Sequence, residues 1–217
     1  LGKLDFKNFT IRINDRQILK AMAAFSGFAP ESFDEVFIIL DKMDKIGLEG
    51  VESELKEAGY EAQVVETYLT LFKEVTRDVE GIRYLKEKLD GFLDPEVADG
   101  LETIISSVEA VKEAEFKMSF DPTLVRGMSY YTGTIFEISM DEFGGSVGGG
   151  GRYDKMIGKF TGQDTPACGF SIGFERIVLL LLESGYQVPT RKEKKAFLIE
   201  KGMPSEGITR ILELAKE

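Results

Sequence analysis

The spacing of hydrophobic positions changes twice along the chain. Residues 4–13 alternate between apolar and polar side chains, with Phe9, Ile11 and Ile13 on one face, which predicts a β-strand. Between residues 15 and 112 the apolar positions recur every three or four residues, and glycines and prolines separate the segments. This part of the sequence predicts a helical domain of five or six helices.

From about residue 115 the period of two returns. Residues 116–126, 131–140 and 146–151 predict successive strands, and residues 141–145 between the last two predict a hairpin turn. Residues 165–173 predict a final strand that runs into a helix beginning near Phe174. Strands on both sides of a long helical interruption indicate an α+β fold, in which an antiparallel sheet carries an inserted helical domain.

The C-terminal residues predict the opening of another domain. A charged segment at residues 191–195 reads as a linker, residues 195–200 predict a strand and residues 205–217 predict a helix. The chain also begins at Leu1, without a methionine, within what reads as folded structure. We therefore expect it to be a piece of a longer protein.

The composition narrows the chemistry that the chain could perform. It contains no histidine and one cysteine, Cys168, which excludes Ser-His-Asp and Cys-His catalysis and an internal disulfide. A zinc site would lack its commonest nitrogen ligand, so we expect no metal site. The net charge of −11 argues against broad nucleic-acid binding. No signal peptide or membrane-length apolar run is present, which favours a cytoplasmic protein.

Residues 124–137 form the first candidate cluster. Gly127 allows the backbone to bend after Arg126, so that the guanidinium can point into a cleft and bind a phosphate or carboxylate. Tyr130 and Tyr131 would face opposite sides of a strand, so that only one need face the cleft. The alternative is an arginine in an ordinary salt bridge on an edge strand, and the spacing alone leaves that reading open.

Two further clusters combine glycine with arginine. The four glycines at 148–151 remove side chains where a ligand or another backbone must come close, although a hairpin or a bulge would also account for them. In residues 169–182, Arg176 would lie in the first turn of a largely buried helix, near the favourable anion position at a helix N-terminus. The alternative there is a solvated corner of a core helix.

Several segments together resemble histidyl-tRNA synthetases. LVRGMSYYTGTIFE (124–137) and GGGRYDKMI (149–157) resemble the two histidine signatures of that family, and TPACGFSIGFERIVLLL (165–181) resembles motif 3 of class II synthetases. The family's segment leading out of the core is similar to FTIRINDRQIL (9–19). Part of its insertion is similar to LDKMDKIGLEGV (40–51). Ser129 stands where the family usually has aspartate, and the sequence contains neither motif 1 nor motif 2.

The resemblance implies part of a class II catalytic sheet that joins histidine to ATP and passes the histidyl group to tRNA(His). Its domains would be a core strand at 1–14, a helical insertion at 15–112, a catalytic core at 113–190, and a linker with the truncated start of an anticodon-binding-like α/β domain at 191–217. Partners would be histidine, tRNA(His) and ATP with Mg²⁺, and the full-length protein would be a cytoplasmic homodimer. The isolated chain would be inactive.

The resemblance also assigns roles to individual residues. Arg126 would be the catalytic arginine, holding the α-phosphate and the histidine carboxylate, and Arg176 would bind ATP at its γ-phosphate and flank the adenine. The other ATP-binding residues would be Gly169 and Gly173. The histidine pocket would be lined by Tyr130, Tyr131, Tyr153, Gly150 and Gly151. The alternatives are a histidine-binding regulatory subunit of ATP phosphoribosyltransferase, which usually lacks the insertion, and a packing module without activity.

Overall fold

Five strands form one mixed sheet in the computed structural model of the chain, which describes residues 1–127, 130–141, 144–163, 165–187, 197 and 199–215. The order across the sheet is β2-β1-β3-β4-β5, so the first strand lies inside the sheet. The strands are β1 (Phe9–Asp15), β2 (Lys117–Phe120), β3 (Thr134–Met140), β4 (Gly145–Arg152) and β5 (Cys168–Ile172).

The strands predicted between residues 4 and 173 are present with shorter or shifted bounds. The strand predicted over residues 4–13 begins only at Phe9, because residues 2–4 form a 3₁₀ turn that ends at Asp5 with a left-handed φ of 68°. β3 and β4 pair antiparallel, and a register shift between Ile138 and Ser139 interrupts their ladder. Of the hairpin turn predicted at residues 141–145, residues 142–143 lie outside the described part of the chain.

The pairing of β1 with β2 differs from the purely antiparallel sheet that the sequence predicts. These two strands are parallel, with Ile13 opposite Phe120, whereas the other three pairs are antiparallel. A parallel pair needs a long crossover connection, and the helical segment between β1 and β2 provides it. The length of the insertion therefore permits β2 to run parallel to β1.

Six α-helices lie between β1 and β2, in agreement with the predicted helical insertion. Several of their ends follow from local chemistry. The Asp15 carboxylate accepts a hydrogen bond from the backbone N–H of Gln17 and caps the first helix, which ends at Gly27 with φ 103°. Asp94 and Pro95 begin the last one. The helices are α1 (Arg16–Ser26), α2 (Phe33–Leu40), α3 (Met43–Glu57), α4 (Ala62–Glu74), α5 (Val79–Lys88) and α6 (Pro95–Val111).

The insertion and the sheet share one hydrophobic core. Ile13, Phe120 and Ile135 from the sheet belong to the same buried cluster as Phe37 and Tyr68 from the helices. Tyr68 is fully buried, and its hydroxyl has no hydrogen-bond partner in the described part of the chain. The helices are thus packed onto the sheet and are not tethered to it by the chain alone.

Two more helices follow the insertion, and the first compact unit, Leu1–Leu180, ends within the second of them. α7 (Asp154–Thr161) follows β4 and was not predicted from the sequence. α8 (Phe174–Glu183) begins at the predicted position, and its residues Ile177 and Leu180 pack with a second cluster around Phe9 and Met140. α8 therefore packs on strands β1 and β3 near the ends where Phe9 and Met140 pair.

The second compact unit comprises Leu181–Glu217. It contains α9 (Ser205–Leu214), which confirms the helix predicted there. The predicted linker at 191–195 and most of the predicted strand at 195–200 lie outside the described residues. Among the helices that the structure describes, none combines the length and apolar character needed to span a membrane.

Candidate active site

The backbone that leads to Arg126 is held by the strand beside it. The buried Asn14 side chain donates hydrogen bonds to the carbonyl oxygens of Pro122 and Leu124, at 3.3 and 3.2 Å. Arg16, also buried, donates from Nη1 to the carbonyl oxygen of Arg126 at 3.4 Å. Two polar side chains at the end of β1 and the start of α1 thus fix the approach to the candidate catalytic arginine.

Gly127 makes the bend that the sequence predicts after Arg126. Its φ is +53°, a conformation that favours glycine, and its carbonyl oxygen accepts hydrogen bonds from the backbone N–H groups of Tyr130 and Tyr131. The tyrosines therefore lie in a turn before β3, and the prediction that they face opposite sides of a strand is wrong. Their rings contact each other, with centroids 4.4 Å apart. Ser129 lies outside the described residues.

The Arg126 guanidinium lies over β4 at Gly149. A Cβ built on Gly149 would fall 2.0 Å from Arg126 Nη1, so only glycine leaves room for the guanidinium there. Nη1 also lies 3.1 Å from Glu137 Oε2, but the contact is not aligned as a hydrogen bond, and this buried nitrogen has no hydrogen-bond partner in the described part of the chain. The pair is therefore an electrostatic contact and not an aligned hydrogen bond.

Two tyrosine rings lie on a floor of two glycines. Gly151 on β4 pairs with Gly169 on β5, so both share one face of the sheet. Cβ atoms built on them would fall 2.9 Å from the Tyr131 ring and 2.6 Å from the Tyr153 hydroxyl. The two ring centroids are 6.5 Å apart. Burial, with a contribution from the adjacent Tyr130, raises the pKa of Tyr131.

Gly150 is placed differently from its neighbours. Successive strand residues point to opposite faces, so Gly149 and Gly151 lie beneath Arg126 and Tyr131, whereas Gly150 belongs to the other face. A Cβ built on Gly150 would meet Gly169 and Phe170 on the neighbouring strand. The structure thus brings Arg126, Tyr131 and Tyr153 together on one face. It also places Gly149, to which the resemblance gave no role, beneath Arg126.

Arg176 contacts the other end of β4. It donates a hydrogen bond from Nη1 to the carbonyl oxygen of Ser146, and its side chain lies against Gly173. Ser146 and Gly149 are three residues apart on one strand, which corresponds to roughly 10 Å. The two candidate arginines are therefore anchored along the same glycine-rich strand, at separate points.

The residues that hold these groups in place were not predicted from the sequence. Asn14 and Arg16 fix the backbone before Arg126, and Glu137 lies at its guanidinium. Arg12 on β1 lies directly opposite Glu137 on β3. The sequence offered one signal for them: charged or amide side chains, such as Arg12, Asn14 and Glu137, stand in strands that are otherwise rich in apolar residues. In the described part of the chain, no group of three or more acidic or cysteine side chains could hold a metal ion.

Comparison with known proteins agrees with this geometry. The profile of the family described as "Histidyl-tRNA synthetase" matches residues 1–177. The chain is 42% identical over 194 residues to the histidine–tRNA ligase of Leifsonia xyli subsp. xyli, covering 83% of this chain and 43% of that protein. It is 35% identical over 207 residues to the Korarchaeum cryptofilum histidine–tRNA ligase, covering 92% and 45%.

A solved structure shows the same fold. The crystal structure of histidyl-tRNA synthetase from Nostoc sp. PCC 7120 superposes with a TM-score of 0.75 at 26% identity, covering 99% of this chain and 51% of that one. The chain thus spans about half the length, or less, of the relatives it matches. Its α+β fold with a helical insertion agrees with that structure, and the chain belongs to the histidyl-tRNA synthetase family.

Proposed function

We propose that the protein to which this chain belongs is a histidine–tRNA ligase. It would join histidine to ATP with release of pyrophosphate and then transfer the histidyl group to tRNA(His). The observation that supports this most strongly is the Arg126 guanidinium, which lies over the side-chain-free Gly149 on the face of the sheet that also carries Tyr131 and Tyr153. Such a donor suits an oxygen whose negative charge grows during the reaction.

The chemistry requires little from the protein besides fixed charge. When the histidine carboxylate attacks the α-phosphate of ATP, negative charge develops on the phosphoryl oxygens, and Arg126 would stabilise it. No protein acid or base is needed in that step, which is compatible with a chain that contains no histidine. Arg176 would bind the γ-phosphate and flank the adenine. Gly173 lies against the Arg176 side chain and Gly169 lies under Tyr153, so both glycines would contact ATP through their backbone.

The tyrosines and the glycine floor would form the histidine pocket. Tyr131 and Tyr153 lie side by side above Gly151 and Gly169, where a tyrosine hydroxyl would be available to the imidazole. Tyr130, in contact with Tyr131, would close one side. Gly150 would contribute through its backbone, because its missing Cβ belongs to the other face.

The rest of the proposal follows from family membership. The full-length protein would be a cytoplasmic homodimer that binds ATP with Mg²⁺ as its substrate complex. We keep the division into a core strand (1–14), a helical insertion domain (15–112) and a catalytic core (113–190), followed by a linker and the start of an anticodon-binding-like domain (191–217). The order of β1, the six helices and the later strands supports the first three of these segments.

The decisive test is histidine-dependent exchange of labelled pyrophosphate into ATP by the full-length protein. Arg126→Ala should lower the exchange rate by about 100-fold or more while the KM for histidine changes much less, since one lost donor to the developing charge costs about 3 kcal/mol. Arg83→Ala is the matched control, because Arg83 pairs only with Glu80 and Glu102 among the described residues and belongs to the insertion surface. Unchanged exchange in Arg126→Ala would refute the assignment.

The same assay separates the synthetase from the regulatory relative. A regulatory subunit of ATP phosphoribosyltransferase would bind histidine and give no exchange even as the full-length wild-type protein. The 217-residue polypeptide by itself should also give no exchange, since it contains motif 3 but neither motif 1 nor motif 2. Exchange by this polypeptide near the full-length rate would mean that Arg126 and Arg176 suffice without those motifs.

A further inference from the structure

Asp121 is a fixed anchor next to the parallel strands. Its carboxylate is almost completely buried, and Oδ1 accepts hydrogen bonds from the backbone N–H and the hydroxyl of Thr123, at 3.0 and 2.7 Å. Oδ2 accepts a hydrogen bond from Arg12 Nε at 2.6 Å and lies 3.4 Å from Arg77 Nη1. With four donors around it, this carboxylate has no freedom to turn, and Arg12 is held at one edge of its guanidinium.

Glu137 lies between two arginines. Arg12 Nη1 lies 3.9 Å from Glu137 Oε1, and Arg126 Nη1 lies 3.1 Å from Glu137 Oε2. The Glu137 side chain is only 17% exposed, so solvent screens these interactions weakly. The two carboxylate oxygens of Glu137 face different arginines. A stronger attraction between Arg12 and Glu137 would therefore turn the carboxylate and change the position of Oε2 relative to Arg126.

The helical insertion contacts the charged residues Arg12 and Glu137 through α3. Asp44, in the first turn of α3, accepts a hydrogen bond from Arg12 Nη1 at 2.8 Å, the same nitrogen that faces Glu137. Asp41 is close by: burial raises the pKa of its carboxyl, while the positive charges of Lys45, Arg126 and Arg12 act in the opposite direction. Asp44 and Glu137 therefore compete for one nitrogen of Arg12.

We propose that Glu137 is a positioning residue for Arg126 and that Asp44, acting through Arg12, couples the helical insertion to it. While Asp44 holds Arg12, Glu137 remains oriented toward Arg126 and keeps its guanidinium over Gly149. When Asp44 withdraws, Arg12 attracts Glu137, and Arg126 loses its orientation. The insertion thereby controls the alignment of the catalytic arginine. This inference rests on the proposed function of Arg126.

The test uses pyrophosphate exchange by the full-length protein, with kcat and the KM for histidine measured separately. Glu137→Gln should lower kcat by about 10-fold or more with little change in KM, because misplacement of a catalytic group by about 1 Å costs about 100-fold. Asp44→Asn should lower kcat by about 2- to 30-fold. The double variant should be no slower than Glu137→Gln alone, because both changes act through the same contact.

Asp99→Asn is the matched control for Asp44→Asn. Asp99 also pairs with a cation on the insertion, Lys86, and its side chain is 59% exposed, against 56% for Asp44. The kcat of the Asp99→Asn variant should equal that of the wild type. Because Asp44 is on the surface, its variant will fold even if Glu137→Gln does not, and thermal unfolding of each variant will show this.

Three results would overturn the inference. They are an Asp44→Asn variant as active as Asp99→Asn, effects that multiply in the double variant, and a Glu137→Gln change confined to KM. The Arg126→Ala variant separates this failure from failure of the proposed function. If Arg126→Ala loses exchange while the Glu137 and Asp44 variants are normal, only the coupling is wrong; if Arg126→Ala exchanges normally, the proposed function is wrong as well.

Discussion

Gly149→Ala should disable the candidate active site without adding any charge or polar group. The new Cβ would lie 2.0 Å from Arg126 Nη1, and ordinary van der Waals contact begins at about 3.4 Å, so the guanidinium must retreat by about 1.4 Å. The same Cβ would lie 2.8 Å from the Phe136 carbonyl oxygen, which is backbone and yields less readily. A displacement of about 1 Å can cost about 100-fold in rate, or about 2.7 kcal/mol in the activation barrier.

Gly148→Ala provides the matched control for this prediction. Gly148 is the preceding residue of β4 and faces the other side of the sheet, where a Cβ would lie 3.0 Å from the Ser171 carbonyl oxygen and 3.7 Å from Ile138. Both variants lose a glycine from the same strand, but only one meets Arg126. In pyrophosphate exchange by the full-length protein, Gly149→Ala should lose about 100-fold in kcat and Gly148→Ala much less. Equal kcat values in the two variants would refute the close packing of Arg126 on Gly149.

Three other predictions follow from individual side chains. Tyr68→Phe should raise the free energy of unfolding in urea by about 1 kcal/mol, because it removes a buried hydroxyl without a partner in the described part of the chain; a decrease would show that the hydroxyl is satisfied. Burial raises the pKa of the Asp15 carboxyl in the folded protein. Ionisation of Asp15 therefore lowers the free energy of unfolding, and this loss develops as the pH rises from the unfolded-state pKa through the folded-state pKa. Asp15→Asn should therefore gain stability over the wild type as pH rises and lose that gain below about pH 4, as urea unfolding at each pH will show. Ser129→Asp should leave pyrophosphate exchange by the full-length protein within a few-fold of wild type, and a collapse would mean that this turn is built differently from that of the family.

Local pattern predicted most of the elements. The three- and four-residue spacing from Val36 to Val111 predicted the helices of the insertion, because apolar stripes on helices are local signals. α7 was missed although Met156, Ile157 and Phe160 have helical spacing, since a short helix between two strands gives a weak signal. The left-handed Gly162 at its end was the further sign available.

Contacts between residues far apart in the chain could not be predicted from the sequence. The motifs predicted Arg126, Tyr131 and Tyr153 as site residues, and the structure brings these three side chains to one face of the sheet, although their roles in binding stay predictions. The contact of Arg126 with Gly149 depends on the register between β3 and β4, which a bulge shifts, and no spacing rule supplies that register. The parallel pairing of β2 likewise depends on the path of the insertion.

That parallel pairing has a consequence for the order of folding. The helices between Asp15 and Lys117 make contacts that are close in sequence and can form early, whereas β2 reaches β1 only after the whole insertion has compacted. The segment from β2 to Arg126 is then held by the Asn14 side chain, so we expect Arg126 to be placed in the last step of folding. Pulse-labelled hydrogen exchange during refolding should show amides of α4 protected before those of Met118 and Phe120. Simultaneous protection would mean that the sheet and the insertion fold as one cooperative unit.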